Sequence, residues 1–206
     1  MSLKTAIVRQ FGKPTGIIGA LAGHIMARRS SNRIRNRQTV EMMSLNPYSR
    51  VLEIGCGPGL ALAQCAETVT AGRIVGLDHS PVMIRQARQR LGSVSALPRV
   101  ELLVGCIEQL ADWPEAFDRI YSLNVIQFIG DKSVFFRQVF ALLDQSGMCF
   151  TTYQPRLDND NPDGAYQMAD DVAQLMQESG FVRIERAQID GVLPAAICVF
   201  GFKPNE

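Results

Sequence analysis

The stretch Arg50–Leu62, R-V-L-E-I-G-C-G-P-G-L-A-L, constrains this chain more than any other part of it. Val51, Leu52 and Ile54 form a short apolar run with the composition of a strand. The run ends in Gly55, Gly57 and Gly59, then restarts as the helix-like L-A-L-A-Q-C-A-E. A buried strand that turns sharply into a helix, with no side chains at the turn, lets a ligand lie against bare backbone amides. Glu53 stands just before the turn, where a carboxylate can receive hydrogen bonds from such a ligand. Cys56 lies inside the loop, where its backbone matters more than its thiol. The spacing is E-x-G-x-G-x-G. A dinucleotide fingerprint G-x-G-x-x-G begun at Gly55 would need a third glycine at position 60, which is Leu60.

Further along, apolar runs alternate with helical patterns. Strands are predicted at 51–54, 73–77, 99–104, 117–123 and 147–153, with helices at 60–69, 81–91 and 132–143 and a turn near 107–113. Alternation of this kind implies an α/β, doubly wound parallel sheet with right-handed crossovers. After a polar loop, Q-P-R-L-D-N-D-N-P-D-G, come helix 165–179 and strand 181–190. Val192–Pro194 then turns the chain into strand 195–202, which should run antiparallel to the strand before it.

Four pieces in order resemble the class I S-adenosylmethionine-dependent methyltransferases, of the small-molecule type. E-x-G-x-G-x-G at 53–59 is similar to their first motif. R-I-V-G-L-D at 73–78 ends in an acid 23 residues after Gly55, and His79 to Met83 opens a helix like the one that follows in that family. Gly105-Cys106-Ile107-Glu108-Gln109-Leu110 resembles the family's G-D-A-E-x-L segment, which touches adenine. F-D-R-I-Y-S-L at 117–123, running into N-V-I-Q-F-I, is similar to the fourth motif. The resemblance covers about residues 48 to 153 and implies a mostly parallel, seven-stranded Rossmann-like sheet with an antiparallel C-terminal strand. It implies S-adenosylmethionine as cofactor. Glu53, Gly55, Cys56, Gly57 and Gly59 would admit its methionine part, and Asp78 would grip the ribose hydroxyls. Asn124 would sit near the amino group, while His79, Met83, Gly105, Cys106 and Ile107 would surround the rest. Asp78, read as a strand-tip carboxylate facing a cleft, should contribute little to stability without ligand. Cys106 departs from the usual aspartate, so adenine would rely on the backbone of Cys106 and Ile107 and on packing from Met83.

Of the 206 residues, 47% are hydrophobic and 20% charged, as in an ordinary globular protein of one domain with modest extras. Five cysteines without short paired spacing suggest reduced thiols and a cytoplasmic setting rather than a disulfide framework or a metal site. No run reaches the length of a membrane span, and no signal peptide is indicated. The net charge of +1 conceals an asymmetry. Residues 1–40 hold eight basic residues and no acid, so the remainder carries 13 basic against 20 acidic, a balance of −7. A helical arm is predicted over 1–47, with a glycine-rich helix at 15–28 and a basic helix at 33–45 capped by Ser30-Ser31-Asn32, before a catalytic domain at 48–206. The arm is expected to act as a lid, with Arg33, Arg35 and Arg37 bordering the pocket and loop 154–164 forming the opposite wall.

Methyl transfer from a sulfonium needs a bound donor, an aligned nucleophile and excluded water, and no metal or dedicated dyad. No catalytic residue is assigned. Gln127 stands where many small-molecule methyltransferases have histidine; His24, Tyr153 and Glu41 remain as candidate bases. A nicotinamide oxidoreductase is disfavoured by the glycine spacing and by the lack of a Tyr-x-x-x-Lys pair. A nucleic-acid methyltransferase is disfavoured because the fourth motif lacks a proline–aromatic string and no basic aromatic platform is present. The expected acceptor is a small molecule, with anionic ones among the candidates. A lipid or membrane-associated acceptor and a non-catalytic binding protein are the alternatives. The sequence carries no sign of the oligomeric state.

Overall fold

A computed structural model describes residues 30–93, 100–155 and 163–205, and all structural statements concern these. The glycine-rich helix 15–28, His24 and most of loop 154–164 lie outside them. The elements are α1 (Ser30–Met42), β1 (Arg50–Ile54), α2 (Leu60–Thr68), β2 (Arg73–Asp78), α3 (Pro81–Ser93) and β3 (Val100–Val104). A 3₁₀ turn (Ile107–Leu110) leads to β4 (Phe117–Leu123), a second turn (Ile126–Phe128), α4 (Lys132–Leu142) and β5 (Leu143–Tyr153). Then follow α5 (Gly164–Glu178), β6 (Val182–Ile189) and β7 (Ala196–Phe202). Every predicted strand and helix among the described residues is present, most within two residues of its expected ends.

The seven strands form one sheet in the order β3-β2-β1-β4-β5-β7-β6. β1 pairs in parallel with β2 and β4, while β7 runs antiparallel to both β5 and β6. The period-2 alternation of strand side chains splits the core into two layers. Leu52, Ile54 and Ile120 face α4 and α5, in a cluster with Phe135, Phe136, Val172 and Met176. Val51, Ile74, Tyr121 and Phe150 face the other way, against Leu62 and Cys65 of α2 and Ile84 and Leu91 of α3. The central strands β1 and β2 are buried almost throughout, whereas the edge strands β3 and β6 are largely open.

α1 belongs to this second layer. Ile34, Val40 and Met42 pack against it, and Met43, at the end of the helix, is 0% exposed. Polar contacts fix the same helix to the sheet. The hydroxyls of Thr39 and Thr152 lie 2.9 Å apart, and the Gln38 amide bonds both the N–H (2.9 Å) and the C=O (3.0 Å) of Asp190. Arg119 Nε donates to Met43 O at 2.8 Å, satisfying a carbonyl that the helix end leaves open. The helix already runs at Ser30, so the expected cap Ser30-Ser31-Asn32 falls inside it. Docking of the buried face outweighs the modest helix propensity of those residues.

Arg37, by contrast, pairs with Glu41 on the solvent side of α1. Met43→Ala should therefore destabilise the protein by about 2–5 kcal/mol, while Arg37→Ala should leave the urea midpoint unchanged. Equal midpoints for the two variants would show that α1 is not part of the core.

Candidate active site

The C-terminal ends of β3, β2, β1 and β4 stand side by side, and the glycine turn, Asp78, Gly105, Cys106 and Asn124 lie at or just beyond them. This is the edge at which open α/β sheets bind ligands. The turn after β1 takes its shape from Gly55, Gly57 and Gly59, whose φ angles are +73°, +53° and +75°. A Cβ on Gly55 would strike Val125 Cγ2, whereas one on Gly57 would meet nothing within 4 Å. Gly57 thus presents open backbone to the space above the strand ends.

The amides of the turn are not free, however. Gly55 N–H and Cys56 N–H both donate to Leu77 O, at 2.8 and 3.0 Å, and Gly59 N–H donates to Cys56 O at 3.0 Å. Gly57 N–H donates to Asp78 Oδ2 at 2.8 Å. The expectation of bare donors is corrected: the turn offers room and shape, because its hydrogen bonds are used to hold it.

Asp78, at the tip of β2, is 6% exposed and also accepts from Ser80 N–H through Oδ1 at 2.8 Å. Burial raises its pKa, and the two backbone donors partly offset this. The Asp78 carboxylate therefore holds the glycine turn in place as well as facing the edge, contrary to the expectation that it contributes little to the stability of the unliganded protein. His79 is exposed, with Nδ1 3.8 Å from Asp78 Oδ1, and Met83, in the first turn of α3, is 2% exposed.

Glu53 lies deeper. Its carboxylate is 2% exposed and accepts from the Tyr121 hydroxyl at 2.9 Å and from the backbone N–H of Leu62. Tyr121 is its cross-strand partner on β4 and also lies 3.5 Å from Cys65 Sγ. Burial raises the Glu53 pKa well above the ordinary carboxylate value. The charge of Asp78 adds to this, and the two hydrogen bonds oppose it. The Cys56 thiol, buried beside both acids, is raised in the same way.

After β3, Gly105 leaves space for the Gln109 side chain, which a Cβ there would overlap. Gln109 Oε1 accepts from Cys106 N–H at 3.0 Å, and the Cys106 side chain accepts from Gln109 N–H, closing a small capping box. Cys106 is exposed and Ile107 is buried. Asn124, just past β4, has φ +55°, a left-handed conformation that asparagine tolerates. Its N–H donates to Thr152 O at 2.9 Å, its Oδ1 accepts from Gln154 N–H at 2.7 Å, and its C=O accepts from Gln127 Nε2 at 2.8 Å.

Of the three arginines expected at the rim, only Arg35 turns inward; Arg33 and Arg37 are exposed. Arg35 is 6% exposed and donates from Nη1 to Gln154 Oε1 at 2.6 Å and from Nη2 to Asn32 Oδ1 at 3.0 Å. Glu41, a candidate base, is paired with Arg37 on the outer face of α1 and away from this edge. Tyr153 is half-buried against the α4–α5 layer. Two contributors escaped the sequence reading: Gln154, whose only signal is its place immediately after β5, and Tyr121, which the strand register sets beside Glu53.

Residues 51–147 match the model of a methyltransferase domain. The chain is 25% identical to the uncharacterized methyltransferase YdaC of Bacillus subtilis over 185 residues, 89% of this chain and 98% of that one. It is 32% identical to trans-aconitate 2-methyltransferase of Escherichia coli over 119 residues, and there the match spans 55% of this chain and 44% of the relative. In fold it is similar to the N-methyltransferase NodS of Bradyrhizobium japonicum, with a TM-score of 0.69 at 20% identity, covering 86% of this chain and 99% of that one. A glycine turn between β1 and α2, an acid at the tip of β2 and this strand order agree with the matched segment: residues 51–147 form a methyltransferase domain of the class I kind, with S-adenosylmethionine as methyl donor.

Proposed function

We propose that the protein methylates a small molecule in the cytoplasm, with residues 48–206 forming the catalytic domain and residues 1–47 an arm that covers the site. The observation that carries this reading is the open backbone of Gly57 beside the Asp78 carboxylate, on adjacent strand ends. The open space at Gly57, where a Cβ would meet none of the described residues within 4 Å, suits the methionine part of the donor. The sulfonium supplies an activated methyl group, passed by in-line displacement to a nucleophilic atom of the acceptor. The chain's own work is to bind, orient and keep water out.

In this reading Asp78 accepts from the ribose hydroxyls, for which a carboxylate is a strong paired acceptor. Asn124, rigidly held at the end of β4, lies near the amino group. Gly55, Cys56 and Gly59 shape the turn, and Met83, buried in α3, packs near the nucleoside in this reading. His79 and Gly105 border the nucleoside. With the Cys106 amide engaged by Gln109, adenine is left with the exposed thiol and the Ile107 backbone. Glu53 acts as a positioning residue, joining β1, β4 and the first turn of α2 beneath the glycines. A small-molecule acceptor is supported by the name of the trans-aconitate relative.

A panel of candidate acceptors assayed for S-adenosylhomocysteine release tests the activity, and calorimetry tests the donor. Asp78→Ala should weaken donor binding by about 2–4 kcal/mol. An unchanged dissociation constant would remove Asp78 from the site.

Glu53 generates a pH prediction. Its folded pKa is raised, so the stability it contributes when protonated is present below its unfolded pKa and is lost as pH rises through the folded value. Glu53→Gln keeps the shape without the charge. The variant should gain stability relative to wild type as pH rises above 4.5, the ordinary carboxylate value, read from urea midpoints. Parallel pH profiles for the two proteins would refute a buried, raised Glu53.

A further inference from the structure

Four arginines that reach solvent form ion pairs: Arg37 with Glu41, Arg50 with Asp118 and Asp144, Arg73 with Glu101 and Glu115, Arg186 with Asp170. Arg35 is the opposite case. Its side chain is buried, and among the described residues no Asp or Glu forms an ion pair with it and its Nε finds no acceptor. Its two hydrogen bonds among the described residues, to Gln154 and Asn32, are both to neutral amides and use two of its five N–H groups. Removed from water with no counter-charge, the guanidinium has its pKa lowered to about 10. A buried charge is ordinarily paired or coordinates something. Among the described residues, no counter-ion is present.

The position of Arg35 indicates what supplies it. On the reading above, the donor lies across the ends of β2, β1 and β4, from Asp78 through the glycine turn to Asn124. Gln154 follows β5, one strand beyond Asn124, and its Nε2 donates to Pro194 O in the β6–β7 connection at 2.9 Å. Arg35 therefore stands on the acceptor's side of the donor.

We propose that Arg35 is a specificity-determining residue that seats a carboxylate of the methyl acceptor, so that the substrate class is a small carboxylic acid. This rests on the methyltransferase reading of the same edge. A carboxylate has the planar pair of oxygens that a guanidinium edge matches and the single negative charge that one buried cation balances. Charge-assisted bonds are roughly twice as strong as neutral ones, so an entering carboxylate displaces the Gln154 or Asn32 amide oxygen and reaches Nε. Seated there, the anion fixes one end of the acceptor and turns the remainder toward Asn124 and the donor. The rigid tie from Gln154 N–H to Asn124 Oδ1 keeps the two halves of the site at a constant spacing.

The test uses the full chain with S-adenosylhomocysteine bound, and succinate and benzoate as probes beside their neutral amides, succinamide and benzamide. In ¹⁵N-arginine-labelled wild-type protein, the Arg35 Nε–H resonance, assigned with Arg35→Lys, should shift saturably with a carboxylate and not with its amide. Arg35→Met should weaken carboxylate binding by about tenfold or more and leave the dissociation constant of S-adenosylhomocysteine within about twofold. Loss of S-adenosylhomocysteine affinity with carboxylate binding intact would overturn the proposal, by showing that Arg35 grips the donor instead. An Arg35 resonance indifferent to both carboxylates at millimolar concentration would overturn it as well. Should Arg35→Met not fold, the wild-type titration decides alone. Wild-type protein that fails to bind S-adenosylhomocysteine would instead count against the methyltransferase reading, which separates the two failures.

Discussion

The Leu77 carbonyl is the atom on which the rest of the site depends. It accepts from Gly55 and Cys56 together, so the β1–β2 ladder continues past the last residue of β1 and into the turn. Without that acceptor the three glycines would be free to adopt many shapes, at a high entropic cost of ordering. With it, the turn closes in one way. Gly57 N–H is aimed at Asp78, Gly55 fits beneath Val125, and α2 starts with Leu62 over the Glu53 carboxylate. Substrate geometry at the edge is thus set by a main-chain bond between two strands.

What the sequence made legible is what depends on local pattern. The glycine spacing, the acid at the tip of β2 and the alternation of strands with helices located the edge and the sheet. Pairing across the sheet was not legible. Tyr121 reads as one apolar residue of β4, and only the parallel register places its hydroxyl on Glu53. The same holds for Gln154, a polar residue after a strand, which acquires meaning from a helix that lies 119 positions earlier. Arg33, Arg35 and Arg37 look alike in sequence. Burial separates them, because helical periodicity turns one inward beside Thr39 and leaves the other two in water. The glycine amides show the reverse error. Their abundance suggested donors for a ligand, yet buried or turn N–H groups seek partners within the fold first.

α1 shows how a helix is held against the sheet layer without a large apolar face of its own. Its apolar contacts come from Ile34, Val40, Met42 and Met43, and the rest of its attachment is polar: Thr39 to Thr152, Gln38 to the Asp190 backbone, Arg35 to Gln154. Such contacts are directional, and each fixes the rotation of the helix as well as its distance. The side chain at position 35 is thereby presented to the edge at a defined angle, supported on both sides.

The placement of β7 has a consequence in time as well as in space. It follows β6 in the chain yet lies inside it, between β5 and β6, antiparallel to both. β6 has no partner in the sheet until β7 is in place, and β5 remains an open edge until then. Cys198, Ile197 and Val199 of β7 complete both core layers at once. Assembly of this end of the sheet is therefore non-local and late, which places it among the slower-forming parts of such a fold. While β5 is unpaired, its apolar stretch Met148–Phe150 is the segment of the nascent chain most open to pairing with another molecule.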